Sequence, residues 1–162
     1  MASEAISSSI MIIGAVLGAT VLIAAILPAI FSAGDSFGTV AHSAEQKLRT
    51  DFRIVNAYAA NELSTTVKVW MKNVGGDRIS IYDIQKSDVF LGYGSSYARY
   101  GYAAAEAGTF TYSLPAGGGY WNIGDTVEIT VTTSGGVGSN PITFTFALPN
   151  SVRRTTTFSS ST

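Results

Sequence analysis

An uninterrupted apolar run near the N-terminus constrains this chain more than any other feature. Between Ala5 and Gly34 the sequence carries no charged residue, and Ile10–Phe31 reads IMIIGAVLGATVLIAAILPAIF. As a helix rising about 1.5 Å per residue, this run is long enough to cross a hydrocarbon core about 30 Å thick. The residues after Gly34 are polar and rich in glycine and β-branched side chains. The sequence therefore predicts a head domain carried on a membrane-spanning or filament-forming helix.

The segment before the apolar run, MASEAISSS, contains no lysine or arginine. Secretory signals place a basic segment before a shorter apolar core and a small-residue cleavage site, and pilin-type signals are also basic before the cleavage point. We therefore expect an uncleaved anchor. Lys47, Arg49 and Arg53 follow the span, and the positive-inside rule alone would place the head in the cytoplasm. These residues alternate with acidic ones and begin well past the span, which weakens that indication.

Composition excludes several classes of function. The 10 basic and 11 acidic residues give a formal net charge of -1, which offers no basic face for nucleic acid. The chain has no cysteine and one histidine, His42, and it lacks both a G-x-S-x-G motif and a phosphate-binding glycine loop. We expect no enzymatic activity, no metal, no cofactor and no nucleic-acid partner.

Small residues recur along the apolar run at helical spacing. Such a stripe lets two helix backbones approach closely in lipid, where packing drives association. The alternative is that glycine and alanine are simply common in membrane helices. We expect a homo-oligomer that associates through this stripe, which consists of Gly14, Gly18, Ala25 and Ala29.

The apolar period continues past Gly34 to about Thr50, with polar residues on the other side of the wheel. This predicts a helix break at Gly34–Asp35, after which an amphipathic stalk completes an N-terminal region of residues 1–50. Residues 51–150 then alternate between apolar and polar side chains, with glycine- and proline-rich turns between short segments. Seven or eight such strands predict an α+β chain whose head is an antiparallel, immunoglobulin-like β-sandwich. Residues 151–162 are predicted to be a flexible tail.

Six of the eight tyrosines lie between Tyr93 and Tyr120, among glycines and serines. Tyrosine supplies rigid contact area at small entropic cost, so the segment is typical of an adaptable binding surface. The alternative is a long hairpin whose tyrosines lie along the sheet. Trp70, on the lysine-bearing side of its strand, is a further candidate, with packing in the core or against the stem as the alternative. The candidate contact residues are Trp70, Tyr93, Tyr97, Tyr100, Tyr102, Tyr112 and Tyr120.

Three stretches resemble the archaellum (archaeal flagellar) accessory family of FlaG and FlaF, relatives of type IV pilins. They are the opening MASEAISSSIMIIGAVL, the segment KVWMKNVGGDRIS…SDVFLG from Lys68 to Gly92, and WNIGDTVEITV from Trp121 to Val131. The opening is more similar to FlaG than to FlaF. The resemblance implies an archaellin-like sandwich head and a helix in the cell membrane. It further implies a non-enzymatic stator, whose head lies outside the membrane and contacts the S-layer, another envelope protein or other archaellum components.

Two other functions are compatible with the same pattern. One is a filament subunit, an archaellin or type IV pilin-like protein whose helix packs in an extracellular filament core. The other is a membrane-tethered surface adhesin that binds through residues 93–120.

Overall fold

The computed structural model describes residues 2–93, 96–104, 106–115, 117–138 and 141–161. Its first element, helix α1 (Ala2–Arg49), contains the whole apolar run, including Pro28. The helix also continues through Gly34 and Asp35, so the predicted break is wrong. A single glycine costs only about 1 kcal/mol in a helix. The Ser36 and Thr39 hydroxyls donate to carbonyls four residues earlier, at 2.8 Å and 3.0 Å, within the same continuous helix.

After α1, the described residues form ten strands and one short helix. In chain order these are β1 (Phe52–Ala59), β2 (Thr66–Asn73), β3 (Ile79–Ser80), α2 (Ile81–Gln85), β4 (Asp88–Tyr93), β5 (Ser96–Tyr102), β6 (Thr109–Ser113), β7 (Tyr120–Trp121), β8 (Thr126–Thr132), β9 (Ile142–Ala147) and β10 (Arg153–Phe158).

Eight of these strands form one sheet in the order β1-β2-β8-β6-β5-β4-β9-β10, and β3 pairs with β7 in a small second sheet. Neighbouring strands are antiparallel except β5 and β6, which pair in parallel at Gly101–Thr109 and Tyr102–Phe110. The large sheet folds over so that its two edges meet, and the Ser161 N–H donates to the Ala59 carbonyl at 2.9 Å. The result is the predicted α+β chain with a mostly antiparallel head.

The core lies between the two halves of the folded sheet. Alternate residues of β2 and β8 point inward and are fully buried, as the period of two predicts. Phe146 of β9 meets Phe52 of β1 at a centroid distance of 5.5 Å and Phe110 of β6 at 6.5 Å. Because β9 lies in the opposite half of the sheet from β1 and β6, these rings join the two layers of a sandwich.

Two segments differ from the sequence-based expectation. The apolar residues Ile79 and Ile81 alternate with polar ones and predict a strand over residues 79–82, but helix α2 begins after Ser80. The Ser80 hydroxyl caps this helix by accepting from the Tyr82 N–H at 3.3 Å. The predicted flexible tail contains β10, which pairs with β9 over six positions. Threonines drive this pairing, because β-branched residues favour strands and Thr155 reaches Thr145 at 2.9 Å between hydroxyl oxygens.

The chain divides into two compact units, one ending at Ala44 and the other beginning at Glu45. The second unit therefore contains the last turn of α1 together with the whole sandwich, and we call this unit the head.

Candidate interaction surfaces

The predicted association stripe lies on a single side of α1. At 3.6 residues per turn, Gly14, Gly18, Ala25 and Ala29 fall within about 60° of one another around the helix axis. The opposite side carries branched residues such as Ile12, Val16 and Ile23. Every α1 side chain that the structure describes is exposed in the single chain, and a Cβ added at either glycine would meet nothing within 4 Å. The stripe is therefore geometrically free to receive another helix.

The predicted tyrosine surface divides into separate environments. Tyr100 is 5% exposed and belongs to the core, so it leaves the set of candidate contact residues. Burial raises the pKa of its phenol above the ordinary value, and Tyr93, which is half-buried at the end of β4, adds a smaller effect in the same direction. Tyr102 and Tyr112 lie against each other at 5.5 Å, and Tyr102 also contacts Phe110 at 5.9 Å.

Tyr97 lies on the outer side of the sheet and is 61% exposed. Its ring stacks on Phe90 at a centroid distance of 5.7 Å and an interplanar angle of 8°. It covers Gly92, where an added Cβ would lie 2.5 Å from the Tyr97 ring. Glycine at this position therefore allows the tyrosine to lie flat across β4 in a fixed orientation.

Tyr120 belongs to the small sheet, away from the strands that carry the other tyrosines. The Arg78 guanidinium stands over its ring, 3.9 Å from the centroid, a cation–π arrangement. Arg78, Asp77 and Asp83 also line an open cavity of about 410 Å³. These charges make the cavity a polar recess rather than an apolar ligand pocket.

Trp70 is half-buried on the outer side of β2, opposite Glu128 of β8. Lys68 donates to the Glu128 carboxylate at 2.9 Å, and this hydrogen bond is the largest cause that lowers the pKa of Glu128. Thr130 and Trp70 act in the same direction with smaller effect. Trp70 is thus one member of a polar outer surface, neither a core residue nor a fully exposed anchor.

A buried asparagine that the sequence analysis did not single out organises one end of the head. The side chain of Asn73 is fully buried and donates to the carbonyls of Asp77 and Trp121 at 2.9 Å and 3.1 Å. The side-chain amide oxygen of Asn73 accepts a hydrogen bond from the Gly75 N–H at 3.0 Å. The indole N–H of Trp121 in turn donates to the Asp125 carbonyl at 2.8 Å. We call these five residues the head base.

The head base also holds the segment that joins α1 to β1. The Gly75 and Gly76 N–H groups donate to the carbonyls of Asp51 and Arg49, at 2.9 Å and 2.7 Å. A Cβ on Gly75 would lie 2.5 Å from both Arg49 O and Asp51 N, so only glycine fits there. The stretches MKNVGGD and WNIGDT, which carry the family resemblance, meet at this point because they close the sandwich around the end of the helix.

Comparison with known sequences decides the family. Residues 2–158 match the sequence model of archaeal-type flagellin, which covers α1 and the sandwich together. The chain belongs to the archaeal-type flagellin family. It is therefore an archaellum-related structural component. A protein of Archaeoglobus fulgidus, described only as uncharacterized, is 30% identical to this family member over 163 residues, covering 98% of this chain and 99% of the relative.

Solved structures support the same grouping. The archaellum periplasmic stator protein FlaG from Sulfolobus acidocaldarius has a TM-score of 0.56 to this chain, at 24% identity, over 67% of this chain and 99% of that one. A chain of the FlaF–FlaG stator complex from the same organism has a TM-score of 0.55 at 26% identity, over 66% of this chain and 87% of that one. The likeness to FlaG, at 24% identity, supports the fold alone. The likeness to the chain of the FlaF–FlaG complex, at 26% identity, is also relevant to function.

The described residues of this family member contain no group of three or more histidine, aspartate or glutamate side chains that could hold a metal ion. Its α1 is long and apolar enough to span a membrane by length and composition. The candidate interaction surfaces of the described residues are the helix stripe, the outer side of the sheet and the head base.

Proposed function

We propose that this chain is a membrane-anchored archaellum stator protein that braces the rotary motor against the cell envelope. The observation that carries the proposal is the likeness to a chain of the FlaF–FlaG stator complex, at 26% identity over 87% of that chain. The match covers 66% of this chain, a length that corresponds to the sandwich.

The length of α1 fits an anchor with a spacer. Ile10–Phe31 is free of charge and would occupy the hydrocarbon core, whereas Asp35 is the first charged residue after it. The 18 helical residues from Ser32 to Arg49 cover about 27 Å at about 1.5 Å per residue. A helical spacer of this kind suits a stator whose head is to contact an envelope partner.

The attachment of the helix end supports a role under mechanical load. Backbone hydrogen bonds from Gly75 and Gly76 clamp the residues that follow α1, and no flexible linker separates Arg49 from β1. Arg49 also pairs with Glu45, at 2.9 Å between Nη2 and Oε1. A stator must transmit force between its anchor and its partner, and a direct helix-to-sandwich junction suits that task better than a disordered hinge.

The likeness to the FlaF–FlaG complex supports other archaellum components as partners of the head. The proposal adds an S-layer or envelope protein as a further partner of the head, and other copies of this chain as partners of the α1 stripe. Gene deletion in the source organism tests the function. Deleted cells are expected to keep archaella on their surface but to stop swimming, with swimming restored by the full chain and not by a chain whose apolar run is replaced by a polar linker. Normal swimming after deletion would contradict the proposal.

The second candidate function is a filament subunit. It is favoured by the family model, which describes an archaeal-type flagellin and matches the helix as well as the head. The exposure of every described α1 side chain is also what a helix awaiting a filament core requires. Under this function, gene deletion removes the filaments themselves, which electron microscopy of deleted cells distinguishes from the stator outcome.

A further inference from the structure

The two seams of the sandwich differ. The seam between β1 and β10 is closed by the Ser161–Ala59 hydrogen bond and an ion pair between Arg154 and Asp51. The seam between β5 and β6 is joined only at residues 101–102 of β5. In the part of the chain that the structure describes, residues 96–100 therefore pair with β4 on one side and with no strand on the other.

The orientation of the backbone at this free edge follows from one hydrogen bond. The Ala103 N–H donates to the Phe110 carbonyl of β6 at 3.3 Å, so Ala103 directs its backbone groups toward the β6 side. Backbone N–H and C=O groups alternate between the two edges of a strand. The backbone N–H and C=O groups of Tyr97, Arg99 and Gly101 therefore point toward the same edge of β5 as those of Ala103. Tyr97 and Arg99 lie outside the part of β5 that pairs with β6, so their N–H and C=O groups are at the open edge.

The side chains of residues 96–99, along the open edge, are exposed. Ser96 and Ala98 share the inward side of the strand with the buried Tyr100, yet both are exposed, because this half of β5 extends past the core. Proteins usually protect such edges with proline, a bulge or unpaired charge. Residues 96–100, SYARY, contain no proline, and the Arg99 side chain is paired with Asp88. This edge is suited to receive another strand.

We propose that two copies of this chain pair antiparallel through β5 about a two-fold axis at Ala98. Tyr97 then lies opposite Arg99 of the partner subunit, and Ser96 lies opposite Tyr100 of the partner subunit. The outward N–H and C=O groups of Tyr97 and Arg99 form four inter-chain hydrogen bonds. Ala98 occupies the close, non-hydrogen-bonded position, where Cα atoms approach to about 4.5 Å and a small side chain fits best.

The side chains select this register over its neighbours. Inter-chain hydrogen bonds form only in registers that place residues whose backbone groups point to the open edge opposite one another. Centring the pair on Arg99 would oppose two arginines, which is destabilising, and centring it on Tyr97 would shorten the overlap. The pairing about Ala98 uses all five residues. It sets each Arg99 directly across from the partner's Tyr97 instead of another arginine, and the two-fold axis repeats this pair. Because the small Ala98 at the axis and the backbone hydrogen-bonding groups of Tyr97 and Arg99 on either side of it form a self-complementary segment, a second copy is the occupant that fits. The pairing does not depend on whether the chain acts as a stator or a filament subunit.

Disulfide trapping of the full-length protein in detergent tests the pairing, since the chain has no native cysteine. Ala98→Cys is expected to form a covalent dimer under mild oxidation, because residue 98 lies opposite itself within disulfide range. Ser96→Cys is the matched control, on the same exposed side of the same strand. Its two copies would lie about 14 Å apart at about 3.4 Å per residue, so its dimer yield is expected to be about tenfold lower. Equal yields at both positions, or no dimer at position 98, would overturn the proposal.

A second pair of variants, made with Ala98→Cys, checks the side-chain register. Tyr97→Lys places a like charge against the partner's Arg99 and is expected to reduce dimer yield severalfold, whereas Tyr97→Glu places an opposite charge there and is expected to keep it. Both changes remove the stacking on Phe90 equally, so that loss cannot explain a difference. Equal yields from the two variants would contradict this register.

Discussion

Helix α1 and the head obtain their structure in different ways. The head buries its own core, with residues such as Phe52 and Phe146 at 0% exposure from opposite layers of the sandwich. No described side chain of α1 is buried in the single chain. The head's fold is thus determined internally, whereas α1 specifies a length and a stripe whose partner, lipid or another helix, lies outside the chain. Substitutions in the two regions should therefore affect different observables.

The largest effect is expected from Gly75→Ala, which tests whether contacts within the chain determine the fold of the head. The new Cβ would overlap Arg49 O and Asp51 N, backbone atoms that cannot move without opening the head base. We expect a loss of about 3 kcal/mol in the free energy of unfolding, measured by denaturant titration followed by tryptophan fluorescence. Gly76→Ala is the matched control, because its Cβ would lie 3.9 Å from Arg49 O and cause no overlap. Equal losses for the two variants would contradict the assigned close approach.

Asn73→Ala is expected to cost somewhat less, about 2 kcal/mol, because the buried Trp121 carbonyl and the Asp77 carbonyl lose their side-chain donor, and the Gly75 N–H keeps only its bond to Asp51. The same titration measures it. Asn122→Ala removes an exposed side-chain hydrogen bond to Asp125 and should change stability by less than about 0.5 kcal/mol. A neutral Asn73 variant would show that the head base is held by other contacts.

Replacing Gly14 and Gly18 together with isoleucine tests whether the α1 stripe associates with a helix of another chain. Bulky side chains on the stripe should weaken self-association by about 1–2 kcal/mol, measured by energy transfer between labelled chains in lipid vesicles. Ala19→Ile, about 110° around the helix axis from the centre of the stripe, is the control and should leave association unchanged. The unfolding of the head should not change in either case. Association that survives the double replacement would exclude this face.

The smallest effect is a pH dependence on the outer side of the sheet. Because Lys68 lowers the pKa of Glu128 in the folded chain, the unfolded chain takes up the proton first as pH falls. The stabilisation is therefore complete above about pH 4.5, the unperturbed Glu pKa, and disappears as pH falls through the lower folded value. Both side chains are partly exposed, so the contribution should be below about 1 kcal/mol.

Comparing the acid sensitivity of Lys68→Met with that of the parent chain measures this contribution. Lys72→Met is the control, since Lys72 pairs in register with Thr126 rather than with an acid. Identical pH profiles for the parent chain and Lys68→Met would show that the pair does not contribute to stability.

The sequence predicted those parts of the fold that depend on period. Alternation in β2, β8 and β9 identified strands whose inward residues are buried, and the charge-free run identified α1. It did not predict β10, because a threonine-rich terminal segment becomes a strand only when a neighbour such as β9 is available. The break at Gly34 was wrong because a local glycine signal is weaker than helical continuity on both sides.

Among the candidate contact residues, Tyr100 shows most clearly what composition cannot reveal. Tyr97 and Tyr100 lie three residues apart in the same tyrosine-rich segment, yet one is exposed and the other is buried, since side chains alternate across a strand. The sequence analysis also did not identify the role of Asn73, although the stretch MKNVGGD carried the resemblance. A polar residue at the end of an apolar strand could have signalled a buried hydrogen-bonding centre.

Fractionation after shearing tests the central claim most directly. Cells are sheared to release archaella, and the chain is quantified in the released filaments and in the membranes by an antibody against the head. A stator protein is expected almost entirely in the membrane fraction, as an intact chain that detergent but not salt extracts. Recovery of the chain as a major component of the sheared filaments would contradict the stator function and establish the filament subunit in its place.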